Sequence, residues 1–123
     1  MADFPTSIKL NGLTFAVERV KDLQDEGGTK CAGLFDSNEQ TIEIDTGIRS
    51  HDKVRFVMCH EITHAIEEHA GVTLKDPVQV DAFARGFYSL ICDNPDLIAW
   101  LREPKPVRRK SIEETPNGSQ TVI

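Results

Sequence analysis

Apolar residues change their spacing near residue 50, and this change constrains the fold of the chain more than any other feature of the sequence. Before residue 50, apolar and polar residues alternate, most clearly in Thr41–Asp45, where Ile42 and Ile44 share one face. After residue 50, apolar residues recur at intervals of three and four. The pattern predicts an α+β fold, in which a small antiparallel sheet of three to four strands is followed by two or three helices.

Two hairpins are expected in the first 45 residues. Asn11-Gly12 separates two apolar-rich arms within residues 8–17, and this dipeptide favours a type I′ turn because both residues accept positive φ angles. A second hairpin is expected over residues 30–45, with its turn at Asp36-Ser37-Asn38. The strands of these hairpins are predicted to form the small sheet.

A long helix is predicted from about Asp52, with Ser50 or Asp52 as its N-cap and Gly71 just past its end. Its apolar stripe comprises Val54, Met58, Ile62, Ala65 and Ile66. At about 100° per residue, His60 and His64 fall on the opposite face of this helix. The two histidines are therefore expected to be available to a ligand rather than packed in the core.

Two further helices are predicted from an N-cap residue followed by proline, at Asp76-Pro77 and at Asn94-Pro95. The apolar stripe of the first comprises Val80, Phe83, Ala84, Phe87, Leu90 and Ile91, and that of the second comprises Leu97, Ile98, Trp100 and Leu101. A single domain is predicted over residues 1–103. Residues 104–123 are rich in Pro, Lys, Arg and Ser, a composition that predicts a flexible tail.

Composition indicates a cytoplasmic protein without a membrane segment. The net charge of −6 disfavours nucleic acid as a general partner. No apolar run approaches the length of about 18 residues that a membrane-spanning helix needs, and the first residues lack the basic and apolar regions of a secretion signal. The 3 cysteines, an odd number without framework spacing, are expected to be reduced thiols.

Residues His60-Glu61-Ile62-Thr63-His64 form the motif H-E-x-x-H. On a helix, residues four apart lie on one face with Cβ atoms about 5–6 Å apart, so two imidazoles at this spacing can bind one zinc ion from the same side. The carboxylate of Glu61 can then take a proton from water at that ion. The motif predicts a zinc-dependent hydrolase with His60 and His64 as ligands and Glu61 as general base.

A third zinc ligand has to come from another position, and the acids of the next helix are Asp76, Asp81 and Asp93. Asp76 is better explained as the N-cap, whereas Asp81 lies off the apolar stripe, so Asp81 is the expected ligand. Tyr88 lies seven residues after Asp81 on the same face. Its phenol is a candidate to stabilise an oxyanion, and a half-buried structural tyrosine is the alternative.

Other side chains of the first helix are less suitable as ligands. Glu67 and Glu68 lie about two turns, or about 11 Å, along the helix from His60. His69 follows His60 by nine residues, whereas the metzincin pattern needs ten residues and an intervening glycine. His69 is therefore expected to be a cation near the negative end of the helix dipole.

The segments Cys59–Ile66 and Val80–Tyr88 resemble ImmA/IrrE-like zinc metallopeptidases, above all the short, phage-encoded members of the minimal gluzincin type. The similarity spans about residues 30–102. It implies a minimal zincin fold, with zinc held by the two histidines of the motif and the motif glutamate as catalytic base. It also implies proteolysis of a specific protein, such as a transcriptional repressor, in the cytoplasm of a bacterial host.

The chain departs from this family at the third ligand, which is typically a Glu early in the second helix. No Glu occurs between Glu68 and Glu103, and Gln79 is a poor zinc ligand. Two interpretations follow. Either Asp81, which is one methylene shorter, replaces the Glu, or the site is catalytically impaired and the protein is a zincin-fold factor that acts by binding a partner.

Two segments bear on the partner. A substrate strand in zincins commonly pairs with a sheet edge beside the metal. Because Thr41–Asp45 directly precedes the motif-bearing helix, the peptidase interpretation predicts an exposed edge at this strand.

Lys105–Lys110 contains four cations in six residues, a charge that suits nucleic-acid phosphates. A solubilising tail is favoured there, because no aromatic residues are interleaved.

Overall fold

The computed structural model describes residues 3–74 and 76–104. Its elements in chain order are β1 Ser7–Leu10, β2 Leu13–Val20, β3 Gly33–Asp36, β4 Thr41–Asp45, α1 His51–Ala70, α2 Pro77–Asp93 and α3 Pro95–Arg102. The α+β class is therefore confirmed. The chain divides into two compact units, residues 1–93 and residues 94–123, and α3 belongs to the second. Residues 105–123 of the predicted tail lie outside the described residues.

The sheet is mixed and has the strand order β1-β2-β4-β3. Both predicted hairpins form, since β1 pairs antiparallel with β2 and β3 pairs antiparallel with β4. Asn11 and Gly12 have φ angles of 51° and 84°, as the first turn requires. β2 and β4, however, are parallel, so the prediction of an antiparallel sheet is wrong at its centre. Turn signals specify only strands that are adjacent in sequence. The segment 21–32 that joins the two hairpins forms a local turn, closed by the antiparallel bridge between Gln24 and Lys30, and its sequence does not specify how the hairpins pair.

The prediction that Thr41–Asp45 forms an exposed edge is also wrong. This strand, β4, lies between β2 and β3 and has a hydrogen-bonded neighbour on each side. Alternation correctly predicts that Ile42 and Ile44 are buried on one face, but alternation is the same for an edge strand and a central one. The edges are β1 and β3, and β3 contacts α1.

α1 packs across one face of the sheet. Its Val57 lies in a buried cluster with Val17, Ile42 and Ile44, and burial of each such side chain contributes about 1.5–3 kcal/mol. Partly buried apolar side chains around this cluster are Phe4, Ile8, Phe35, Ile48, Val54, Met58 and Ile62. They include the first three residues of the predicted α1 stripe, which is thereby confirmed as a packing surface.

Both ends of α1 are capped as predicted. Ser50 Oγ accepts a hydrogen bond from the Lys53 N–H at 3.2 Å. At the other end Gly71 adopts φ 70°, a left-handed conformation that favours glycine, and its N–H donates to the Glu67 carbonyl at 3.0 Å. These caps set the limits of α1, the helix that carries the histidine turn.

α2 packs against α1, which also contacts β3 and β4. The buried residues of α2 are Val80 and Ala84, whereas Phe83, Leu90 and Ile91 of its predicted stripe are exposed. Because α1 has neighbours on more than one side, its own buried residues do not form a single stripe. They are Val57, Cys59, Glu61, Thr63 and Ala65. Within the described ranges, no helix combines the length and the apolar character needed to cross a membrane.

Candidate metal centre

The residues of the H-E-x-x-H motif line a cavity of about 760 Å³ in the first unit. Three parts of the fold form its walls: the β3 residues 33–35, the middle and end of α1, and the segment 71–73 that follows α1. A single turn of α1 carries His60, Glu61 and His64 into this cavity. The helix predicted around the motif is therefore confirmed.

His60 and His64 have ring centroids 4.9 Å apart, with an angle of 74° between the ring planes. Both side chains are partly accessible, with 27% and 39% of their surface exposed. The two rings therefore share one space at the cavity wall and remain open to it. This is the arrangement that two ligands from one helical turn require.

Each histidine ring has a carboxylate at Nδ1. His60 Nδ1 lies 2.8 Å from Asp81 Oδ1, and His64 Nδ1 lies 2.9 Å from Glu67 Oε1. Because an ionised carboxylate only accepts hydrogen bonds, the proton of each neutral ring belongs on Nδ1 and the lone pair on Nε2. Such carboxylates fix the orientation of a ligating ring and make its free nitrogen more basic. In this tautomer the lone pair of each Nε2 is available to a ligand.

Asp81 joins α2 to the histidine turn through this hydrogen bond. The sequence predicts Asp81 as the third ligand, whereas its Oδ1 here contacts Nδ1 of His60, and 45% of its side chain is exposed. Because Nδ1 and Nε2 face different sides of the ring, a carboxylate at Nδ1 lies away from an ion at Nε2. The contact favours a role in orienting His60, and the role as ligand stays a prediction.

Glu67 is a site residue that the sequence argument missed, because its distance along the helix was measured from His60 rather than from His64. Its Oε1 accepts from His64 Nδ1, and its Oε2 accepts from the Leu74 N–H at 2.7 Å. The hydrogen bonds from Leu74 and then from His64 lower the pKa of this carboxyl below its usual value, which keeps it an acceptor. The signal that identifies it is the spacing of three residues from His64, which places two side chains together on a helix.

Glu61 is a buried carboxylate, only 6% exposed. Burial raises the pKa of its carboxyl above the usual value, and the neighbouring His64 and His60 act in the opposite direction. Removal from water disfavours the charged form of the group, so this carboxylate holds a proton more firmly than an exposed one. A carboxylate in such an environment beside two imidazoles has the properties of a general base.

Tyr88 is not brought to this cavity. It lies beside a second cavity of about 560 Å³, together with Phe56 and Arg85. The separation of seven residues between Asp81 and Tyr88 corresponds to about 10 Å along the axis of α2, so these two side chains lie at different positions along the helix although they share a face. Burial raises the pKa of the phenol. The predicted contact of Tyr88 with an oxyanion has no support in this geometry.

Two described residues, His60 and His64, are of the type and spacing that zinc ligands need. Among residues 3–74 and 76–104, no group of three or more His, Cys, Asp or Glu side chains is arranged to hold a metal ion. His69 packs edge-on against Phe15, with ring centroids 5.9 Å apart. These described residues thus bring together two imidazoles and a buried carboxylate, and no third ligand beside them is found within the same ranges.

We expect nitrogen NMR spectra of the metal-free protein at alkaline pH to show His60 and His64 with Nδ1 protonated, because each Nδ1 faces a carboxylate. Glu67→Ala should shift His64 towards the Nε2-protonated tautomer and leave His60 unchanged. The control is Glu68→Ala, which removes the exposed carboxylate next in sequence. A His64 tautomer that does not respond to Glu67→Ala would contradict the assignment.

No protein-family model, curated protein or solved structure matches this chain. The resemblance to ImmA/IrrE-like peptidases therefore stays a hypothesis based on two sequence segments. The function has to be argued from the chemistry of the site.

Proposed function

We propose that this protein is a zinc-dependent metallopeptidase of minimal zincin fold, in which His60 and His64 bind zinc through Nε2 and Glu61 is the general base. The observation that supports it most is the pairing of both Nδ1 atoms with carboxylates, at 2.8 and 2.9 Å. A metal-binding histidine almost always donates its other ring N–H to a carboxylate, a backbone carbonyl or water, and both histidines here have such a carboxylate. The buried Glu61 in the same turn supplies the base.

Zinc held at this site would supply Lewis-acid polarisation of a carbonyl group and of water. The residues of the chain have separate tasks. Glu61 accepts a proton from water at its carboxylate and returns it to the leaving amine. Asp81 and Glu67 keep the ring protons on Nδ1 and hold each imidazole in one orientation. β3 and residues 71–73 border the cavity, and only 6% of Glu61 is exposed.

An extended peptide is the substrate class that suits the cavity. Gly33, Leu34 and Phe35 all line it, and consecutive residues of a strand point to opposite faces. The edge of β3, rather than one of its faces, therefore borders the cavity. Among the described strands β3 pairs only with β4, so its other edge can add a peptide strand by backbone hydrogen bonding. This edge takes the place that the sequence argument gave to β4.

The resemblance extends the proposal to a phage-encoded protein that acts on a specific protein substrate, such as a regulatory protein, in the bacterial cytoplasm. The second candidate is a catalytically impaired zincin-fold factor that acts by protein binding. The observation that favours it is the lack of a third donor beside the two histidines among the described residues.

Cleavage of a pooled peptide library, read by mass spectrometry, tests the proposal. The wild type should cleave, a chelator should stop cleavage, and added zinc should restore it. Glu61→Gln should keep the zinc and lose turnover by about 10²–10⁴-fold, the usual contribution of a general base. The control is Glu26→Gln, which neutralises an exposed glutamate of the segment 21–32. Turnover that survives Glu61→Gln would contradict the role of Glu61, and zinc binding without any cleavage would favour the impaired factor.

Two substitutions distinguish an orienting Asp81 from a ligating one. If Asp81 acts on His60 Nδ1, Asp81→Ala should weaken zinc binding by about 10–100-fold, and Asp81→Asn should weaken it less because the amide oxygen still accepts the hydrogen bond. The control is Asp93→Asn, an acid of the same helix that accepts from Ser89. Equal and complete loss of zinc in both Asp81 variants would identify Asp81 as the ligand, as the sequence predicts.

A further inference from the structure

β3 lies directly against Glu61, and the point of contact is Gly33. A Cβ atom added to Gly33 would lie 2.9 Å from Glu61 Cγ, 2.9 Å from Glu61 Oε2 and 2.7 Å from Val57 Cγ1. Real Cβ atoms essentially never approach other heavy atoms closer than 3.0 Å. Any side chain at residue 33 would therefore force β3, Val57 or Glu61 to move.

The backbone of Gly33 gives no other reason for glycine. Among the described glycines, those with positive φ are Gly12, Gly28 and Gly71, so Gly33 has a conformation that other residues can adopt. Glycine in a strand weakens the strand and commonly marks a place where another group approaches closely. The approaching groups here are the side chains of Val57 and Glu61, and their closeness explains the glycine.

The two neighbours differ in their freedom to move. Val57 is held in the core cluster by Val17, Ile42 and Ile44. Glu61, in contrast, borders the cavity, so its carboxylate can be displaced into that space. A methyl group at residue 33 would thus push the carboxylate out of its buried position against β3.

We propose that Gly33 is a positioning residue for Glu61: the absence of a side chain at residue 33 lets β3 hold the carboxylate at a fixed place beside the two histidines. The catalytic meaning of this contact rests on the proposed peptidase function, whereas the contact itself does not. Because β3 is also the edge proposed to pair with a peptide, Gly33 would set the distance between the general base and the bond to be cleaved. A misplacement of about 1 Å in such a site costs about 10²-fold in rate.

A stability measurement tests the contact without zinc or turnover. All variants carry Val57→Ala, which removes the Cγ1 contact and keeps Gly33→Ala able to fold. In this background, with chelator present, Gly33→Ala should lower the thermal unfolding midpoint, and Glu61→Ala should relieve most of that loss because it removes both contacting atoms of Glu61. The control is Glu67→Ala, which should not relieve it, since it changes a carboxylate more than one turn further along α1. An equal effect of Gly33→Ala with and without Glu61→Ala would overturn the proposal.

Turnover then tests the positioning role. In the Val57→Ala background, Gly33→Ala should lower kcat by at least about tenfold, with KM and zinc content nearly unchanged, because only the base is displaced. A kcat equal to that of Val57→Ala alone would show that Gly33 serves packing only, and would overturn the proposal. If the Val57→Ala parent and the wild type both fail to cleave peptides, the proposed function fails, and the stability measurement still decides whether Gly33 positions Glu61.

Discussion

The packing of α1 against the sheet and against α2 is the constraint on which the rest of the site depends. The cluster around Val57 fixes α1 on the sheet, and the buried Val80 and Ala84 bring α2 to it. With neighbours on more than one side, α1 has to place a carboxylate, Glu61, out of water. Burial raises its pKa, so the property that would suit Glu61 to the proposed role of general base arises from the same contacts that stabilise the fold.

Hydrogen bonds fix the orientation of the two imidazoles within this packing. The bond from His60 to Asp81 joins α1 to α2, and Glu67 joins His64 to the backbone of Leu74. Each imidazole is therefore held from a different part of the fold. A shift of α2 would change the orientation of the His60 ring, and a shift of the segment after α1 would change that of the His64 ring. The orientation of the two rings therefore depends on the packing of the whole unit.

Features that depend on neighbours in sequence could be predicted, and features that depend on distant pairing could not. The Asn11-Gly12 turn, the Ser50 and Gly71 caps and the helix of the H-E-x-x-H motif are encoded within a few residues. The parallel pairing of β2 with β4, and hence the position of β3 beside the site, follows from how two hairpins meet. The partner atom of Asp81 and the need for glycine at residue 33 follow from that arrangement, and no local pattern carries them.

The central claim is that two imidazoles of one helical turn form a metal site, and an X-ray absorption spectrum at the zinc edge of the zinc-loaded protein tests it most directly. The account predicts only nitrogen and oxygen ligands, at about 2.0–2.1 Å, with the outer-shell scattering of two imidazoles. His64→Ala should reduce the outer-shell scattering to that of one imidazole or abolish zinc binding. A sulfur ligand at about 2.3 Å, which would place zinc on a cysteine, or a protein that takes up no zinc, would contradict the account.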